Sequence, residues 1–97
     1  MTVRFTKEAQ QHIAEIYSYI YQRNSTAAIA VLARIRATTN LLEDFPLLGH
    51  RGSVSGTYEL IVKGLSYIIV YEMNKRKKQV VILGVFHGAR DSRDTAT

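Results

Sequence analysis

The sequence predicts an α+β fold, an antiparallel sheet packed on an N-terminal two-helix hairpin, in the order β-α-α-β-β-β. Three observations carry this. Residues 58–62, 65–73 and 79–87 form three runs rich in Val, Ile, Leu and Tyr, which favour a pleated, half-buried surface. The breaks between them, Lys63-Gly64 and Asn74-Lys75-Arg76-Lys77-Lys78, are too short for a crossover helix, so the strands meander antiparallel. Two amphipathic patterns come before these runs and none comes after.

At 97 residues the chain is sized for a single domain, 1–97, with one core. Its parts are a helical hairpin at about 7–45, a sheet at about 57–87 and a basic C-terminal tail at 88–97. Val3-Arg4-Phe5 alternates apolar and polar and is a candidate edge strand. Thr6 is placed to cap the first helix, with Glu8 in the first turn, where the helix dipole favours an acid. Ala9, Ile13, Ile16, Tyr17 and Ile20 follow at the three-four spacing of one buried face, and His12 sits beside that stripe. Asn24 or Ser25 caps the second helix. Its apolar set is Ala28, Val31, Leu32, Ile35, Leu42 and Phe45, with Thr38 or Thr39 filling the gap. Pro46 stops it near Asp44 or Phe45, because the residue before a proline is pushed out of the α region. Residues 46–56, PLLGHRGSVSG, then read as a loop.

In the first strand of the meander Tyr58, Leu60 and Val62 share a face; in the second, Tyr67, Ile69, Tyr71 and Met73 do. In the third, Val81, Leu83, Val85 and His87 alternate against Val80, Ile82, Gly84 and Phe86. The last two strands are apolar on both faces, and helices cover only one. The other is expected to form a partly apolar groove for a partner.

A net charge of +5 implies an acidic partner, protein or nucleic acid. There are no cysteines, so there is no disulfide framework and no thiolate metal site. The start, MTVRFTKEAQ, has no apolar segment of the kind a signal peptide carries, and no run approaches the roughly 18 apolar residues of a membrane span. A cytoplasmic protein without membrane contact is expected. No phosphate loop, HExxH or paired-carboxylate pattern is present, and no cofactor or metal is expected.

His87, Arg90 and Arg93, in HGARDSR, form a cationic cluster able to hold a phosphate or an acidic side chain; the bland reading is a solvated tail in which Arg90 pairs with Asp91. His50 and Arg51 make a second basic pair, on a loop. Lys75 to Lys78 form a basic hairpin tip, the usual device for keeping a hairpin soluble. Cleavage of RNA needs a general base, a general acid and cations at the phosphate. His50, His87 and Arg90 are the candidates for such a role.

FPLLGHRG, TYELIVKGLSYIIVYEM and VVILGVFHGARD, taken together, resemble the ParE branch of the RelE/ParE toxin superfamily. The matching residues are Phe5, Ala9, Pro46, Gly49, Glu59, Leu60, Val62, Tyr67, Val70, Tyr71, Ile82, Leu83, Val85, His87, Gly88 and Arg90. The resemblance implies the toxin of a type II toxin–antitoxin system, of the kind linked to plasmid stabilization. It implies a ParD-like antitoxin in a hetero-oligomer, with Tyr58, Leu60, Tyr67, Ile69 and Tyr71 as candidate antitoxin contacts. It implies DNA gyrase as the target, approached through His87, Arg90, Arg93 and Arg51, with DNA contacted only through the antitoxin. The RelE branch, whose members cut mRNA on the ribosome, is the alternative. Its members commonly carry an arginine where this chain has Ile68, and a C-terminal tyrosine or histidine. Here no tyrosine follows Tyr71, and the chain ends Asp94-Thr95-Ala96-Thr97. Tyr58 stands where an arginine is common in both branches.

Overall fold

The computed structural model describes residues 1–88. The order is β1 (Thr2–Phe5), α1 (Lys7–Tyr21), α2 (Ser25–Leu41), β2 (His50–Arg51), β3 (Tyr58–Ile61), β4 (Tyr67–Asn74) and β5 (Gln79–His87). These strands form one sheet in the order β1-β5-β4-β3-β2.

Both helix starts follow from side chains that satisfy orphan backbone donors. Thr6 Oγ1 accepts from the Ala9 N–H at 3.1 Å, and Asn24 Oδ1 accepts from the Ala27 N–H at 3.0 Å. The Thr6 hydroxyl also donates to the Leu83 carbonyl at 3.3 Å, so one residue caps α1 and joins it to β5. Thr6→Ala is expected to cost about 1 kcal/mol, the usual value of such a cap. Chemical denaturation checks this, and an unchanged midpoint would mean that water replaces the hydroxyl.

The helical hairpin packs on the sheet through Ala9, Ile35 and Leu42, which meet Val62, Ile69, Tyr71, Val80, Ile82 and Val85. Buried Thr39 fills the gap in the α2 stripe and returns its hydroxyl to the Arg36 carbonyl at 2.9 Å, so it leaves no unpaired donor in the core. Arg34, off that stripe, donates to the Lys63 carbonyl and ties the hairpin to the β3–β4 turn. That turn needs Gly64, whose φ is +81°.

Four sequence expectations need correcting. The sheet is mixed: β2 to β5 are antiparallel, but β1 lies parallel to β5, with Thr2 opposite Gln79 and Phe5 opposite Ile82. A strand that starts the chain and precedes two helices returns by a long crossover, which permits parallel pairing. Next, α2 ends at Leu41, before the region where Pro46 acts; Leu42, Glu43 and Asp44 tighten into bonds to carbonyls three residues back, and Phe45 swings out to 58% exposure. His50-Arg51 is a short edge strand on β3 rather than loop.

The fourth correction is a β-bulge. Val70 pairs with Gly84 and Tyr71 with Ile82, leaving Leu83 without a partner. The bulge reverses the alternation along β5. Ile82 and Val85 therefore both join the core, which strict period two forbids.

Candidate functional site

The sequence-derived site residues do not converge. His87, half-buried at the end of β5, meets the Tyr67 ring edge-on at 5.3 Å and 87°. Its Nδ1 is buried without a hydrogen bond among the described residues. His50 and Arg51 are exposed on β2, at the far edge of the sheet. Three strand steps separate β2 from β5, roughly 14 Å at ordinary strand spacing. His50 and His87 therefore do not share a site. Arg90 and Arg93 lie outside the described residues.

The partner that the fold gives His87 is His12. Both line a groove of about 350 Å³ with Glu15, Ile16, Tyr19, Tyr67, Val85 and Phe86. Here β5 runs on past the end of β1, and α1 covers its edge. The Val85 N–H donates to His12 Nδ1 at 3.3 Å, and the His12 ring lies 4.9 Å from that of Phe86. Nδ1 is an acceptor there, so the neutral ring carries its proton on Nε2. The Arg23 guanidinium sits 4.0 Å over Tyr19, at the same end of α1. The sequence signal for this groove was available: His12, Glu15 and Tyr19 stand at three- and four-residue steps on one side of α1. A second, mostly apolar groove of about 260 Å³ lies between the helices and β1, among Phe5, Gln10, Ile13, Leu32, Ile35, Arg36 and Thr39. Among the described residues no group of three His, Asp or Glu side chains is placed to hold a metal ion.

The candidate antitoxin contacts divide by burial. Tyr58, Leu60 and Tyr67 are half-buried and retain accessible surface. Ile69 and Tyr71 are 0% exposed beneath the helices and have no surface to offer a partner in this conformation. Tyr71 has another task. Its hydroxyl donates to the Pro46 carbonyl at 2.8 Å and accepts from the Gly49 N–H at 3.0 Å, holding both ends of one turn. Its ring stacks on Tyr58 at 5.5 Å. Glu59 is buried, and its Oε2 faces the Ser53 N–H at 3.5 Å.

Burial pushes the Tyr71 phenol above its ordinary value of 10.0; the Gly49 hydrogen bond opposes this and the neighbouring Tyr58 adds to it. The unfolded chain therefore ionises this tyrosine first as pH rises. Above about pH 10 the unfolded state binds fewer protons than the folded one, and stability falls with pH. Urea midpoints measured from pH 8 to 11 are expected to bring wild type toward Tyr71→Phe as pH rises. A constant gap would show that the phenol titrates normally.

The face of the sheet opposite the core carries a row across three strands: Ile61 pairs with Ile68, and Ile68 with Phe86. Ile68 is 5% exposed, while Ile61 and Phe86 are open to solvent. Ile68, at the centre of this row, is apolar.

The model of the ParE toxin of the type II toxin–antitoxin system, parDE, matches residues 3–92. The Y4kP protein of Sinorhizobium fredii, a toxin by its name, is 34% identical over 85 residues, covering 88% of this chain and 85% of its own. Among solved structures, the chromosomal ParDE system of P. aeruginosa superposes with a TM-score of 0.80 at 17% identity, covering 90% of this chain and 95% of that one. The RelBE2 toxin–antitoxin complex of Mycobacterium tuberculosis gives 0.66 at 28% identity, covering 89% and 95%. The isolated E. coli RelE toxin gives 0.68 at 14% identity, covering 98% and 92%. The fold is thus that of the RelE/ParE toxins, and the chain belongs to the ParE toxin family of type II toxin–antitoxin systems.

Proposed function

We propose that this toxin acts by binding rather than by cutting RNA, with DNA gyrase as its target and a ParD-like antitoxin as its restraint. The observation that carries this reading is the row Ile61–Ile68–Phe86. Stabilising a pentavalent phosphate needs fixed cations or donors aimed at it. A buried isoleucine supplies neither, and an apolar row suits a protein contact. The site of action is proposed to be cytoplasmic, where gyrase and nascent antitoxin are found.

For the antitoxin, Tyr58, Leu60 and Tyr67 remain proposed contacts, alongside the two grooves flanking α1. A segment that folds on binding lays apolar anchors into such grooves. For the target, His87, Arg51, Arg90 and Arg93 remain proposed contacts, and DNA is met only through the antitoxin.

The test is a supercoiling assay with purified, antitoxin-free protein and gyrase holoenzyme. Accumulation of cleaved, linear plasmid is expected. Undisturbed supercoiling at stoichiometric toxin removes gyrase as the target. The alternative, ribosome-dependent cleavage, is favoured by one feature, the two histidines of the α1–β5 groove. Cut mRNA in a translating extract, abolished by His12→Ala with His87→Ala, would establish it instead.

A further inference from the structure

The turn between Pro46 and Gly49 is built in a way that core packing does not require. Its two middle residues, Leu47 and Leu48, are 67% and 48% exposed. Apolar Phe45 and Leu41 stand open beside them. Exposed leucines in solvated turns are usually replaced by polar residues, because a contiguous apolar patch invites association.

This turn is nonetheless held rigidly. One buried hydroxyl, that of Tyr71, bonds both of its ends, the Pro46 carbonyl and the Gly49 N–H. Gly49 itself has no room for a side chain: a Cβ there would lie 2.6 Å from the Glu59 carbonyl oxygen and 2.8 Å from the Tyr71 oxygen. The backbone that carries the leucines is thus set before any partner arrives. Contact through them carries little backbone ordering entropy, a condition that favours tight binding by a small patch.

We propose that the Leu47–Leu48 turn is a preorganised knob that docks into a concave apolar pocket on a folded protein, the toxin's target. This rests on the reading above of a toxin that acts by binding. The shape selects the occupant. A knob needs a pocket that exists beforehand, and a segment that folds on binding offers none; it fills grooves, such as the two that lie along α1. Exposed charges of both signs flank the turn in sequence, Glu43 and Asp44 before it and Arg51 after it. A complementary pocket is apolar at its floor and carries a cation facing the first and an anion facing the second.

The test is Leu47→Ser with Leu48→Ser, read by growth arrest on induction without antitoxin. Survivors are expected to rise at least about tenfold, the effect of losing one well-placed anchor. Melting temperature and capture by co-expressed antitoxin should stay at wild-type values. Undiminished arrest by the folded variant overturns the proposal. Lost antitoxin capture also overturns it, assigning the knob to the antitoxin, as does a dimeric wild type that becomes monomeric in the variant. A wild type that arrests nothing removes the target contact altogether. Failure of the gyrase reading is separate, since it appears as arrest by the wild type with normal supercoiling. Tyr71→Phe, which keeps the ring and frees the turn, is expected to show an intermediate rise in survivors.

Discussion

Tyr71→Ala is expected to lower stability by about 3–5 kcal/mol, the cost of removing a large buried ring whose site cannot collapse. The ring has no solvent exposure, lies against Ile69 and Ile82 in the core cluster, and stacks on Tyr58. Its hydroxyl also closes the 46–49 turn, and truncation leaves the Gly49 donor and the Pro46 acceptor to find water. For a domain with a total stability of roughly 5–15 kcal/mol this loss is a large share. Tyr71→Phe separates the two contributions. It keeps the packing, loses both hydrogen bonds, and should cost about 1–3 kcal/mol. Urea denaturation of the three proteins checks the series. Equal losses for Ala and Phe would place the energy in the hydroxyl alone.

Gly49→Ala is the second large effect. Here the obstacle is a backbone carbonyl, that of Glu59 on β3, which cannot swing aside as a flexible side chain would. Either the turn or the strand must move, and the variant is expected to lose about 1–3 kcal/mol as overpacked sites do. Because the same turn displays Leu47 and Leu48, the variant should also weaken growth arrest more than its stability loss explains. Proteolysis at the turn, faster than in wild type, would show that the anchor has let go. A melting temperature equal to wild type would mean that the turn relocates freely.

Much of this arrangement was legible in the sequence, for physical reasons that are local. The capping roles of Thr6 and Asn24, the stripe through Ala9, Ile13 and Ile16, and the shared face of Tyr67, Ile69, Tyr71 and Met73 follow from short-range periodicity. The order and spacing of the strand motifs identified the family. What escaped is non-local. A bulge at Leu83 is a property of two strands in register, so period two along β5 alone assigned Leu83 to the face of Val85 and left Ile82 opposite. The parallel partnership of β1 with β5 depends on the whole chain between them. His50 and His87 were grouped because both are histidines able to supply a general acid or base, and only the strand order parts them. His12 was noticed beside its stripe but had no visible companion until β5 was placed against α1. The exposure of Phe45 escaped because helix ends are set by competition among several backbone bonds, and Pro46 marks only the outer limit.

The pairing of β1 with β5 has a consequence for the birth of this toxin. The first strand waits for the last, and the Thr6 hydroxyl that seals them spans 77 residues of chain. Contacts of such sequence separation form late and fold slowly, because a long loop must be closed before they contribute. While the ribosome is still synthesising Gln79–His87, β4 lacks its main neighbour and the core lacks Val80, Ile82 and Val85. The sheet and its core, and with them any surface that includes β5, are therefore complete only once Gln79–His87 has left the ribosome.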